Sequence, residues 1–255
     1  MFASRPLSAI IAGALVLAGC AQVGTPGTTV NQTPPSAPSI TSPAATSQST
    51  ASTTQPTTPT STTTPPAAPE QPAIWPAPGV VFTTPEDAAA DFVTKLLGVR
   101  PALGEFQQGD ARSGEIEVLS RGEGGSAKIV RSRLLMRQLG PNNGWFVLAA
   151  TNEHMTITSP EERAEVPADG LTVAGRARGF EATVLVAAYA PGASPVELDK
   201  VVTQGGAMET PEPISVSLDL SQAQPGSTVT ILVCGDTGLE TDPGEFTAIP
   251  VVIAR

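Results

Sequence analysis

The sequence predicts a chain in three parts: a disordered N-terminal linker, a small α+β module with one helix on an antiparallel sheet, and an all-β sandwich. Three observations predict it. A Thr-, Pro- and Ser-rich stretch runs to about residue 79, a single capped helical pattern follows at Thr84–Gly98, and from Gly114 onward apolar residues alternate in short runs divided by turn clusters. Alternation of period two marks half-buried strands, whereas spacings of three and four mark a helix.

The chain opens "MFASRPLSAIIAGALVLAGC", with one positive charge at Arg5, an apolar stretch from Leu7 to Leu17, and then Leu17-Ala18-Gly19-Cys20. The apolar stretch falls short of the roughly 20 residues that a helical span needs, so residues 1–19 read as an export signal. Its last four residues resemble the bacterial lipobox. That resemblance implies cleavage before Cys20, acylation of its sulfur by palmitate-type chains, and lipid anchoring on the extracytoplasmic face of the cell membrane; an ordinary secretory signal is the alternative. Two acyl chains hold a protein stably where one is marginal.

The net charge is −10, and removal of Arg5 with the signal makes it one unit more acidic. Nucleic acid is bound mainly through phosphate neutralisation by Lys and Arg, so this balance excludes it as a partner. It also excludes adhesion to anionic lipid through a basic patch. The two cysteines are Cys20 and Cys234. With Cys20 acylated no disulfide forms, and Cys234 in "STVTILVCGD" reads as a small buried hydrophobe.

Between Ala21 and Ala73 there are fifteen Thr, seven Ser and eleven Pro, with Glu70 the only charge and no aromatic residue. Such a segment cannot bury enough apolar surface to offset its conformational entropy. At roughly 3 Å per residue in polyproline II it reaches on the order of 100 Å or more, far enough to lift a folded part into a wall layer. Runs such as "TTQPTTPTSTTTPP" also offer hydroxyls for O-glycosylation. The anchor and linker are assigned to residues 20–79.

Residues 80–153 form the α+β module. Thr84 suits an N-cap, Pro85 the first helical position, Glu86 and Asp87 the first turn, and Gly98 the C-terminus. Ala89, Phe92, Val93 and Leu96 share one face. Three strand-like runs follow, "GEIEVLS", "SAKIVRSRLLMRQLG" and "GWFVLAATNE", the last two joined through Asn143-Gly144, a hairpin signal. Trp145 and Phe146 fall on opposite faces. Arg131, Arg133 and Arg137 share a side by alternation, either as an anion patch or as a solvated face with ion pairs to Glu115 and Glu117.

Residues 154–255 contain seven short runs, "MTIT", "GLTVAGRA", "ATVLVAAYA", "ELDKVVTQ", "ISVSLDL", "STVTILVC" and "FTAIPVVIA". Seven strands in about a hundred residues is the count of an immunoglobulin-like sandwich. Pro250 inside the last run suggests an edge strand or a bulge. "ITSP" followed by "LTVAGRARGFEATVLV" resembles the immunoglobulin-like domain of bacterial spore-germination lipoproteins, of the GerMN-associated type. The matching residues are Pro160, Leu171, Thr172, Val173, Gly175, Ala177, Phe180, Glu181, Val184 and Val186. The resemblance implies a secreted, lipid-tethered sandwich without catalytic residues. Residues 80–153 do not resemble the domain that names the family, so a germination role does not follow from it.

Candidate binding residues are Arg176, Arg178, Phe180 and Glu181 in "GRARGFEA", with Arg131 and Arg133 in the module. The alternative for "GRARGFEA" is a sandwich corner in which Phe180 plugs the core and Arg176 and Arg178 face solvent. The lone histidine, His154, reads as structural. "GEGG" at 122–125 lacks the Lys and Ser/Thr of a phosphate-binding loop and reads as a plain turn. Asp236, Glu240, Asp242 and Glu245 share one loop and form a weak calcium candidate without EF-hand spacing; no metal or cofactor is predicted. The expected function is that of a lipid-anchored, non-enzymatic envelope protein that presents a binding module to an envelope protein or to peptidoglycan. A structural assembly factor and a cell-wall glycan hydrolase are the alternatives.

Overall fold

The computed structural model describes residues 71–77, 79–121, 128–190, 192, 194–207 and 209–255. The expected export signal, Cys20, the expected linker before Gln71 and "GEGG" at 122–125 lie outside the described residues. Among the described residues no helix is long and apolar enough to cross a membrane.

Helix α1 (Pro85–Leu96) begins at Thr84, whose Oγ1 accepts a hydrogen bond from the Asp87 amide at 3.2 Å. Its buried stripe, Ala88, Ala89, Phe92, Val93 and Leu96, lies on an antiparallel meander of β1 (Gln107–Gln108), β2 (Ser113–Arg121), β3 (Lys128–Leu139) and β4 (Gly144–Thr151). Then come β5 (Thr156–Ser159), β6 (Glu165–Val166), β7 (Leu171–Gly179), β8 (Thr183–Ala190) and β9 (Val196–Gln204). β10 (Gly206–Ala207), β11 (Glu212–Leu218), β12 (Thr228–Gly235) and β13 (Phe246–Ile253) complete the order. The protein is thus mostly antiparallel β-sheet with a single helix.

The strands form two sheets. The larger has nine strands in the order β1-β2-β3-β4-β13-β12-β8-β9, with β6 also on β13; the smaller has β10-β7-β11, with β5 also on β7. β4 meets β13 at Ala150 opposite Ala248, and the Thr247 hydroxyl donates to the Ala150 carbonyl at 2.8 Å. The helix-bearing meander and the later strands therefore share one sheet.

Two-sided burial of β12 and β13 makes this possible. Val229, Ile231, Val233, Val251 and Ile253 face the small sheet, where they pack with Val173, Ile214 and Leu218. Leu232, Phe246 and Ala248 project the other way, into the core beneath α1. The nearly unbroken apolar runs of these strands are the sequence mark of a strand covered on both faces.

Residues before 80 belong to the folded part. Ile74 and Trp75 are fully buried, and the Trp75 main chain exchanges hydrogen bonds with Val147, donating at 3.2 Å and accepting at 2.7 Å. The Trp75 indole donates to Asp91 Oδ2 at 3.0 Å and packs edge-on against Phe92. These are the first large apolar side chains after the spacer, and their burial offsets the cost of ordering the chain. Trp145 and Phe146 part as alternation requires: Trp145 is buried edge-on against Phe106, while Phe146 is only half-buried.

Pro250 lies in the interior of β13, opposite Thr230 of β12. Its carbonyl accepts from the Arg163 amide at 2.7 Å on the side away from β12. A strand residue points its N and its carbonyl to the same side, so the missing N–H falls between the end of β4 and the start of β6. No ladder bond is lost there, so an interior strand tolerates the proline.

Candidate functional site

The loop from Asp236 to Glu245, which joins β12 to β13, gathers most of the charged side chains singled out above. Asp236 Oδ1 accepts from the Gly238 amide at 2.8 Å, Asp242 Oδ1 from the Gly244 amide at 3.0 Å, and the Gly235 amide donates to the Glu245 carbonyl at 2.8 Å. Two arginines from different strands then clamp this turn. Arg131 of β3 grips Asp242 with Nε and Nη2, the Nε bond being 2.9 Å. Arg178 of β7 grips Glu245 with both nitrogens at 2.7 Å.

Both pairs are largely withdrawn from water, with side-chain exposures of 12% and 7% for Arg131 and Asp242, and 17% and 14% for Arg178 and Glu245. Bidentate arginine–carboxylate geometry fixes direction as well as charge. His154 adds a third partner, its Nδ1 lying 3.2 Å from Glu245 Oε1. An ionised carboxylate only accepts, so Nδ1 carries the proton. Burial alone would raise the Glu245 pKa, but the Arg178 hydrogen bonds and charge, with His154 adding to them, hold it below the usual glutamate range. The same hydrogen bonds push Arg178 up.

The structure separates residues that alternation groups together. A bulge in β3, where Val118 pairs with Ser132 and Leu119 with Val130, leaves Arg131 as the extra residue. A bulge re-aims the side chain it carries, so Arg131 leaves the side shared by Arg133 and reaches Asp242. Arg133 remains half-exposed, 3.2 Å from Glu115 and 3.6 Å from Glu117. Arg176 is exposed and donates to the Pro211 carbonyl at 2.6 Å.

The "GRARGFEA" corner corrects two expectations. Phe180 does not plug the core: it is 44% exposed, beside Gly238 of the clamped loop. Arg178 does not face solvent, because Glu245 draws it inward. Glu181 is exposed with φ 50°, followed by Ala182 with φ 61°.

Beside the clamp lies a polar cleft of about 470 Å³, lined by Val130, Ser132, Arg133, Asn152, Glu153 and His154 among others, with Glu245 in its wall. Sequence reasoning missed Asn152, which lines the cleft. Its side-chain amide donates to the Arg131 carbonyl at 2.7 Å, and its Oδ1 accepts from the His154 and Met155 amides at 2.7 and 3.1 Å. Asn at the first residue beyond a strand is the one available signal, because its side chain readily bonds the backbone two and three residues on.

His154 and Glu245 are arranged as a base and its orienting carboxylate. Ser132 also lines the cleft, but it is buried and gives its proton to the Thr151 carbonyl at 3.0 Å. The Cys234 thiol is pushed up to about 12 by burial and by the charges of Asp236 and Asp242, so it is protonated at neutral pH. Of the four calcium candidates, Asp242 and Glu245 are bound by arginine. Among the described residues no cluster of three or more His, Cys, Asp or Glu side chains is placed to hold a metal ion. A second, more apolar groove of about 620 Å³ lies where Pro72, Pro76, Phe146, Val252 and Arg255 meet, and none of the predicted site residues lines it.

Comparison with protein families, with curated proteins and with solved structures finds no match to this chain.

Proposed function

We propose that the protein is a lipid-anchored, extracytoplasmic binding protein that performs no catalysis. The observation that carries this reading is the order of the first part of the sequence: an export signal ending in Leu17-Ala18-Gly19-Cys20, then a Thr/Pro/Ser-rich spacer of more than fifty residues, then the folded part. An anchor followed by a long spacer serves to hold a domain away from the membrane, where it meets a partner. The charged side chains nearest the cleft are engaged mainly with one another, as scaffold pairs are, which supports a binding role over a hydrolytic one.

The two facing sheets built from β5–β13 support an immunoglobulin-like reading of the C-terminal part, in line with its resemblance to the domain of spore-germination lipoproteins. Its partner is an envelope protein or peptidoglycan. Replacement of Cys20 by Ala tests the anchor: the variant is expected to stay unprocessed or to appear in the medium, without incorporating labelled palmitate. Unchanged membrane attachment overturns the reading. Zymograms on purified wall test catalysis, and clearing that disappears in Glu245→Gln would make the protein a hydrolase.

A further inference from the structure

We propose that the open edge of β3 at Ile129 and Val130 docks an extended segment of a partner protein, which adds as a strand in line with β4. The proposal rests on reading the folded part as a binding module and names its partner's chemistry. β3 is twelve residues long, but β4 accompanies it only from Leu139 to Arg133, where Thr151 is the last partner. There the chain turns away through Asn152, whose amide takes the Arg131 carbonyl. With its carbonyl taken by Asn152 and its guanidinium by Asp242, Arg131 closes the edge on that side and leaves it open at Ile129 and Val130. Among the described residues no strand pairs with β3 beyond this point on that side.

An unpaired strand edge is a row of N–H and carbonyl groups that another extended backbone complements, and proteins commonly blunt such edges with charge. Here the two side chains on it are apolar and open. Ile129 is 45% and Val130 is 44% exposed, and Val130 lines the cleft. In the cleft's lining Glu153 is exposed and has no ion-pair partner among the described residues, while Arg133 is engaged by Glu115 and Glu117. The occupant that fits is an extended segment with β-branched side chains against Ile129 and Val130 and one lysine or arginine over Glu153.

The full-length protein, immobilised, can be panned against a library of random peptides of about nine residues, a typical strand length. Alternating β-branched sequences with one basic residue are expected to enrich, and a synthetic copy should slow amide exchange at residues 129 and 130. Methylating alternate amides of that peptide should weaken it about tenfold or more, because each lost main-chain hydrogen bond is left unmatched. Glu153→Lys should weaken the basic peptide and spare its uncharged analogue, and Val130→Lys, a surface change, should weaken both. Failure of any sequence to enrich, protection of a different edge such as β9, equal binding of the methylated peptide, or displacement of the peptide by soluble wall glycan overturns the proposal. Unchanged membrane attachment of Cys20→Ala, with peptide binding intact, would overturn only the anchoring.

Discussion

Glu245 accepts two bonds from Arg178 and one from His154 while almost out of water. Its folded pKa is lowered, the partners outweighing burial, so its contribution to stability is present above the unfolded value of about 4.3 and is lost as pH falls through the folded value. Glu245→Gln is therefore expected to cost about 1.5–3 kcal/mol at pH 7, the range for hydrogen bonds to charged groups. Urea midpoints of the two proteins should converge as pH drops below about 4. A gap that stays constant with pH would assign the cost to packing. The four clamp residues are visible in the sequence as charged side chains, unlike Asn152, but Arg178 and Glu245 stand 67 positions apart, and no local pattern joins them. Alternation groups Arg131 with Arg133 because it assumes a regular strand, and a single bulged residue suffices to break the assumption.

Elements were more legible than contacts, and the "GFEA" turn shows where the reading slips. The glycine suggests that the chain reverses on it, yet Gly179 is extended, with φ −164°, and a Cβ there would overlap the Thr183 carbonyl oxygen. Gly179 serves close approach, and the left-handed turn falls on Glu181 and Ala182. An L-residue in that region costs about 1–2 kcal/mol, so Ala182→Gly is expected to stabilise the protein by about 0.5 kcal/mol after the entropy that glycine adds to the unfolded chain. Gly179→Ala should destabilise it by about 2 kcal/mol or more through a backbone clash. Equilibrium urea unfolding measures both, and reversed signs would show that the turn is set by something other than backbone strain. Helix α1 is legible for the opposite reason: cap, proline, acidic first turn and apolar stripe all lie within thirteen consecutive residues, Thr84 to Leu96. Thr84→Ala should cost about 1 kcal/mol by the same measurement.

At the scale of the molecule, the join between β4 and β13 decides how the chain unfolds. The sequence divides at about residue 153 because local periodicity carries no information about which strands become neighbours. In the structure the core under α1 takes Leu232, Phe246 and Ala248 from strands nearly a hundred residues further on, together with Trp75 from before the helix. Phe92 packs against two aromatic side chains from outside residues 80–153, edge-on to Trp75 at 6.5 Å and tilted to Phe246 at 6.2 Å. Residues 80–153 alone would expose the apolar surface that these side chains cover, each burial amounting to about 1.5–3 kcal/mol, against a total stability of about 5–15 kcal/mol for an ordinary domain. The expected result is a single calorimetric transition for the folded part, with equal van't Hoff and calorimetric enthalpies. A fragment of residues 80–153 should lack dispersed amide resonances, and Phe246→Ala should lower the one transition as a whole, by about 3–5 kcal/mol in stability. Two separated transitions, with only one of them sensitive to Phe246, would mean that the shared sheet does not couple the two halves.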